Sequence, residues 1–220
     1  MAKETIYANL KESIIKMDAA MAVEAANAAM AEGLDPLESI DQGLCAGMAV
    51  ISDLFDEGEL YVPELLAASE AFDSATKILT SKLSDEQKQS VTAGSAIILT
   101  VQGDIHDIGK NIVRKMFEAN NFKVTDLGRD VSASTVLENA KELKVDLILG
   151  SALMTTTMPA QRDIINTLKE DGVRDDFIVI FGGAPVSKEW CEQIGADGYA
   201  DTATQAVNVA KKLLAKKKEG

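Results

Sequence analysis

The spacing of apolar residues changes near residue 90. Before it, apolar side chains recur every three or four positions with almost no β-branched runs, the rhythm of amphipathic helices. The pattern predicts a first helix over Ile6–Lys16, with Leu10, Ile14 and Ile15 on one face. A second covers Asp18–Ala31, opened by Asp18 as cap and closed at Gly33. A third runs from Pro36 to about Phe55 with Asp35 as its cap. A fourth opens at Pro63 and passes through Leu65, Leu66, Phe72 and Ile78. Four such helices predict a small four-helix bundle. The stretch Ser84–Gly94 is polar and almost free of apolar anchors, as expected of an interdomain linker and hinge. The expected domains are residues 1–90 and 91–220.

Beyond the linker, short β-branched runs alternate with helical segments. Strands are predicted at Ala96–Val101, Lys123–Asp126, Asp146–Gly150, Phe177–Phe181 and, more weakly, Gly198–Ala200. Helices fit Lys110–Asn120, Ser134–Leu143, Pro159–Glu170, Ser187–Ile194 and Ala203–Leu214. Alternation of this kind implies an α/β fold with a parallel, doubly wound sheet. Five strands suggest the flavodoxin-like (Rossmann-like) order 2-1-3-4-5. In such sheets the ligand crevice lies outside the carboxyl ends of strands 1 and 3, where the order reverses.

Charge narrows the partners. Among 220 residues, 22 Lys and Arg face 35 Asp and Glu, a formal charge of -13. Nucleic-acid binders cluster basic side chains to displace counterions, so DNA and RNA are poor candidates. The one basic run, Lys211, Lys212, Lys216, Lys217 and Lys218, suits the solvated carboxyl end of a last helix. Cys45 and Cys191 are isolated and form no C-x-x-C pair, which fits a reducing cytoplasm and gives no structural zinc site. No apolar run of about 18 residues predicts a membrane span.

A single histidine, His106, then carries the question of chemistry. It lies in the loop after strand 1, Gly103-Asp104-Ile105-His106-Asp107-Ile108-Gly109, at the expected switch point. The loop after strand 3 is Ser151 to Met158. Gly103 to Lys110 superficially resembles a phosphate-binding loop. Its spacer is one residue too long, Asn111 replaces the hydroxyl that would bind magnesium, and Asp104 and Asp107 would repel phosphate. A phosphoacceptor site would want Asp at the end of strand 3, where Ser151 stands. A third ligand is a metal whose other ligands arrive with a tetrapyrrole, for which one axial imidazole suffices. Asp104 is spaced to accept a hydrogen bond from the other ring nitrogen, which would fix the tautomer and couple ligation to a proton.

Three elements in order, Asp104-Ile105-His106-Asp107-Ile108-Gly109, Ser151-Ala152-Leu153 and Gly182-Gly183, resemble the D-x-H-x-x-G, S-x-L and G-G signature of cobalamin-binding domains. These occur in methionine synthase and in methyltransferase corrinoid proteins. Gly47-Met48, Asp53-Leu54-Phe55 and Tyr61 to Leu66 resemble the helical cap of the same family. Ser151–Met158 and Phe181–Val186 are most similar to the methylamine and quaternary-amine group.

The resemblance implies cobalamin bound base-off and His-on, with His106 as the lower axial ligand to cobalt. Asp104 and Thr157 would form a relay behind it, and the loaded state would be methylcobalamin. Cofactor contacts would come from Gly103, Ile105, Asp107, Ile108, Gly109 and Leu153. Ser151 and Thr155 would meet the nucleotide tail, and Gly182 and Gly183 would leave room for its base. Tyr199, Ala200, Asp201 and Ala203 would close the far end. Phe55 and Val62 would lie over the methyl ligand, though both also suit ordinary bundle core.

By the same resemblance the chain is a methyl carrier rather than a catalyst on its own. It would take a methyl group from a mono-, di- or trimethylamine or a quaternary amine through a substrate-specific methyltransferase. It would pass it to a second methyltransferase acting on a thiol coenzyme or tetrahydrofolate, with a reductive activation protein as a further partner. Alternatives are a methanol or aryl methyl ether system, a cobalamin-binding sensory module, and a mononuclear metal hydrolase, the last weakened by the lone histidine.

Overall fold

The computed structural model describes residues 2–81 and 92–219, with side chains through residue 217. The 90/91 domain boundary and residues 84–91 of the expected linker lie outside the described residues. The chain divides into a helical unit, Met1–Thr92 together with Glu118–Asn121, and an α/β unit of Ala93–Phe117 and Phe122–Gly220.

In the helical unit, α1 spans Lys3–Ile15 and α2 Ala19–Ala31. α3 (Pro36–Ser39), a π turn (Ile40–Cys45) and α4 (Ala46–Asp56) follow one another without a break, and α5 covers Val62–Leu79. The expected caps are in place. Asp18 Oδ1 accepts the Met21 amide at 2.9 Å, and Asp35 Oδ1 accepts the Glu38 amide at 2.8 Å. Ile6, Leu10 and Ile14 are fully buried at helical spacing, while Ile15, expected beside them, is half-buried. The predicted third helix differs by its π turn, which inserts a residue into the ladder. Gly43 lies in that turn and Gly47 just after it, and a Cβ on either would stand 2.7 Å from Leu10 or Ile14 of α1. Close approach of α1 therefore requires glycine at both positions.

The α/β unit alternates β1 (Gly94–Val101), α6 (Ile108–Ala119), β2 (Phe122–Val131), α7 (Ala133–Leu143), β3 (Leu147–Ser151), α8 (Pro159–Glu170), β4 (Ile178–Gly182), α9 (Lys188–Ile194), β5 (Gly198–Tyr199) and α10 (Ala203–Glu219). All pairings are parallel, and the order is β2-β1-β3-β4-β5, as the alternation predicts. β2 runs five residues past its expected end at Asp126. This extension contains two register shifts against β1: Ile98 pairs with Asp126, Leu99 with Gly128 and Val101 with Val131. Each shift places one extra residue on β2, which bends the strand.

One sheet face is sealed by a core that includes Ile97, Leu99, Ile148, Val179 and Phe181 against Val136 of α7, Ile164, Ile165 and Leu168 of α8 and Ile194 of α9. Thr100 pairs with Ser151 and Ser151 with Gly182, so the carboxyl ends of β1, β3 and β4 fall in one row. That register brings together three sequence elements that are far apart along the chain.

Candidate functional site

Asp104 is fully buried at the head of the loop after β1 and takes four hydrogen bonds. Its Oδ1 accepts the His106 amide at 3.0 Å and His106 Nδ1 at 2.8 Å. Its Oδ2 accepts the Leu153 amide and the Thr157 hydroxyl, each at 2.7 Å. Burial pushes the carboxyl up, but the His106 and Leu153 amides, the Thr157 hydroxyl and the imidazole together outweigh it and hold it well below the usual carboxylate range. An ionised Asp104 has no proton to share, so Nδ1 carries the hydrogen of that bond. The imidazole is about half exposed, at 46 %. Thr100 Oγ1 donates to the His106 carbonyl at 3.0 Å and holds the loop from below.

Around this imidazole the surface is apolar. Ile105 is 64 % exposed and Ile108 79 %, with Leu153 and Met154 also exposed. A cavity of about 700 Å³ opens beside them and runs down the second face of the sheet, past Ile98 of β1, Leu149 of β3 and Ile180 of β4. Ile112 and Val113 of α6 and Ala206 of α10 also line it.

Of the residues singled out from sequence, His106, Ile105, Asp107, Ile108, Gly109, Ser151, Leu153, Gly182, Gly183, Ala200, Asp201 and Ala203 line this cavity. Asp104 and Thr157 are buried behind the imidazole. Gly103 is the turn residue before Asp104, with φ 82°. Thr155 is exposed and outside the lining. Tyr199 packs against the opposite core, its hydroxyl donating to Asp201 Oδ1; that bond and burial push the phenol up to about 12. Phe55 and Val62 are half-buried in the helical unit. Backbone crowding requires glycine at 183 and leaves position 182 tight. A Cβ on Gly182 would stand 3.2 Å from the Ala200 carbonyl, and one on Gly183 would overlap the Ala152 carbonyl.

Sequence reasoning missed the walls and two supports. Ile98, Leu149 and Ile180 each precede Thr100, Ser151 and Gly182 by two positions, and the period-two rule for strands gives the signal that finds them. Gln161 is fully buried; its Nε2 donates to the Gly182 carbonyl at 3.2 Å and its Oε1 accepts Trp190 Nε1 at 2.9 Å. Lys110, also missed, lines the cavity and is buried against Asp126, with Nζ 2.7 and 2.6 Å from the two carboxylate oxygens.

A family model described as "B12 binding domain" matches residues 94–208, and a second of the same description matches residues 6–80. The chain belongs to the B12-binding corrinoid proteins. Trimethylamine corrinoid protein 2 of Methanosarcina acetivorans is 47 % identical over 212 residues, covering 96 % of this chain and 98 % of that one. Dimethylamine corrinoid protein 1 of the same organism is 44 % identical over 217 residues, covering 98 % and 100 %. Among solved structures, the methanol:cobalamin methyltransferase complex MtaBC of Methanosarcina barkeri aligns with a TM-score of 0.79 at 32 % identity, covering 97 % of this chain and 81 % of that one.

Membership in the corrinoid proteins meets the geometry on this chain's own terms. A corrin is a flat macrocycle with a polar, nucleotide-bearing tail. The exposed apolar residues Ile105, Ile108, Leu153 and Met154 suit the flat part, and the cavity lined by Ser151, Gly182, Gly183 and Asp201 suits a tail. No helix among the described residues of this corrinoid protein is long and apolar enough to cross a membrane.

Proposed function

We propose that this chain carries methyl groups from a methylated amine, held on cobalamin that is bound base-off with His106 Nε2 as lower axial ligand. The observation that carries the reading is the Asp104–His106 pair, whose Nδ1 is committed to a buried carboxylate while the half-exposed ring lines the cavity. Residues 91–220 hold the cofactor and residues 1–90 serve as the cap, with Phe55 and Val62 assigned to its methyl-bearing side. Bound cobalamin supplies a cobalt that accepts a methyl group as a nucleophile and gives it up to a second one.

The protein's part is to position. Asp104 holds the hydrogen on Nδ1 and so leaves Nε2 as the nitrogen that would meet a metal. With Nε2 as a ligand, the carboxylate would stabilise the positive charge drawn onto the ring. Thr157 and the Leu153 amide keep Asp104 fixed. Ser151, Gly182, Gly183, Ala200, Asp201 and Ala203 receive the displaced tail; Thr155, outside the lining, and Tyr199, packed on the opposite core, take no part in holding it.

The partners are a methyltransferase specific for a mono-, di- or trimethylamine or a quaternary amine, and a second one acting on a thiol coenzyme or tetrahydrofolate. A reductive activation protein restores the carrier. Identity of 47 % to a trimethylamine corrinoid protein, against 32 % to the methanol complex, supports an amine donor. Reconstitution with hydroxocobalamin tests the reading. One equivalent should bind, with a visible spectrum that changes in His106→Ala. No stoichiometric uptake, or an unchanged spectrum in that variant, refutes it.

A further inference from the structure

Asp130 has no part in the roles assigned so far, yet its setting is unusual on two counts. Its backbone is left-handed, φ 57°, a region that non-glycine residues rarely adopt and that Asp tolerates better than most. It also sits inside the second register shift of β2, between Gly128, paired with Leu99, and Val131, paired with Val101. Extra residues of this kind re-aim side chains next to functional sites.

Turned this way, Asp130 grips the loop at two points. Its amide donates to the Asp104 carbonyl at 3.0 Å, and its Oδ1 accepts the Gly103 amide at 2.7 Å. The Gly103–Asp104 segment is thus held at both ends, through the N–H that enters it and the C=O that leaves it. All four bonds of the Asp104 carboxylate depend on where that segment places the Asp104 Cα. We propose that Asp130 is a positioning residue, clamping the Gly103–Asp104 segment to the end of β2 and thereby setting the direction in which His106 Nε2 points. The clamp belongs to the chain without any ligand, while its effect on cobalt ligation rests on the reading of His106 given above. Val101, which accepts the Asp104 amide at 3.1 Å, and Thr100 also hold the loop, so loss of the clamp loosens it without unfolding the domain.

Three full-length variants separate the parts of the clamp. Asp130→Asn keeps an acceptor and a residue that tolerates positive φ. Asp130→Gly keeps the backbone conformation and the amide bond but loses the acceptor. Asp130→Ala loses the acceptor and is strained as well. In amide NMR spectra of the ligand-free chain, the His106 and Leu153 signals, whose amides bond to Asp104, should shift in the Gly and Ala variants and stay in place in Asn. With hydroxocobalamin, affinity and the share of imidazole-bound spectrum should fall about three- to tenfold in Gly, further in Ala and not in Asn. Wild-type amide signals in Gly and Ala, or an Asn variant as impaired as Gly, overturn the clamp. If the wild type takes up no hydroxocobalamin, the cobalt-ligand reading fails and the ligand-free spectra alone decide on the clamp.

Discussion

The backbone of Gly183 passes so close to Ala152 that a Cβ added to it would overlap the Ala152 carbonyl oxygen. Its φ of 125° is itself unfavourable for any other residue. The adjoining Ala152 amide donates to the Gly182 carbonyl at 3.1 Å, so the turns after β3 and β4 are locked together and have no room to part. Gly183→Ala should therefore cost about 2–4 kcal/mol. Gly182→Ala, which meets the Ala200 carbonyl at 3.2 Å, should cost less. Urea unfolding of the ligand-free chain checks this, and equal midpoints for Gly183→Ala and wild type would show that the turns can yield.

The hydroxyl of Thr157 is what the site uses, donating to Asp104 Oδ2 at 2.7 Å. Thr157→Ser should keep wild-type stability and cofactor spectrum. Thr157→Val removes a donor to a buried carboxylate at nearly constant volume and should cost about 1.5–3 kcal/mol. The two variants measured side by side, by unfolding and by hydroxocobalamin affinity, separate the hydroxyl from the methyl. Equal behaviour would remove Thr157 from the relay.

Much of this arrangement is legible from sequence because each strand announces itself as an apolar run and each motif follows one. The order 2-1-3-4-5 then places the Asp104–His106 loop, Ser151 and Gly182 side by side. β2 is harder to read. Past Asp126 it continues through Gly128, Arg129 and Asp130, which carry no apolar side chain to mark them as strand, and backbone pairing with β1 together with the core residues Leu127 and Val131 holds it in place. The Lys110–Asp126 pair and the Asp130 clamp are created by that hidden extension. The π turn at Ile40–Cys45 is invisible for a related reason: it answers to the approach of α1, not to local pattern. The orientation of Tyr199 depends on a two-residue strand, too short for alternation to define a face.

Acid should weaken the fold through two carboxylates. Asp104 and Asp126 both titrate below the ordinary aspartate value of 3.8 in the folded chain. For Asp126 burial pushes upward, and Lys110, the Gly128 amide and Arg114 outweigh it. A depressed folded pKa contributes stability that is complete above the unfolded value and is lost as pH falls through it. The stability gap between wild type and Asp104→Asn should thus be widest at about pH 6 and close as pH drops below about 4. Urea midpoints across that range test it. A gap that stays constant would mean that the Asn variant acts through shape alone.

Lys110 is a cation buried to 2 % exposure in the wall of a largely apolar cavity, held by Asp126 and by Asn111 Oδ1 at 2.9 Å. Asp126 is in turn 21 % exposed and accepts the Gly128 amide at 2.8 Å, so it ties the start of α6 to the first register shift of β2. Breaking such a pair from one side leaves a charge without its partner, which is costlier than removing both. Asp126→Asn strands the more deeply buried partner and should cost about 3 kcal/mol, near the lower end for buried pairs because the carboxylate is partly solvated. Lys110→Met strands the better hydrated one and should cost less. The double variant Lys110→Met/Asp126→Asn should recover part of the sum, giving a coupling energy of about 1–3 kcal/mol. Additive losses would show that the two charges do not act as a pair. Because Lys110 lines the cavity, hydroxocobalamin affinity should fall in the single variants and recover in the double by the same pattern, if the pair acts by holding the start of α6 in place.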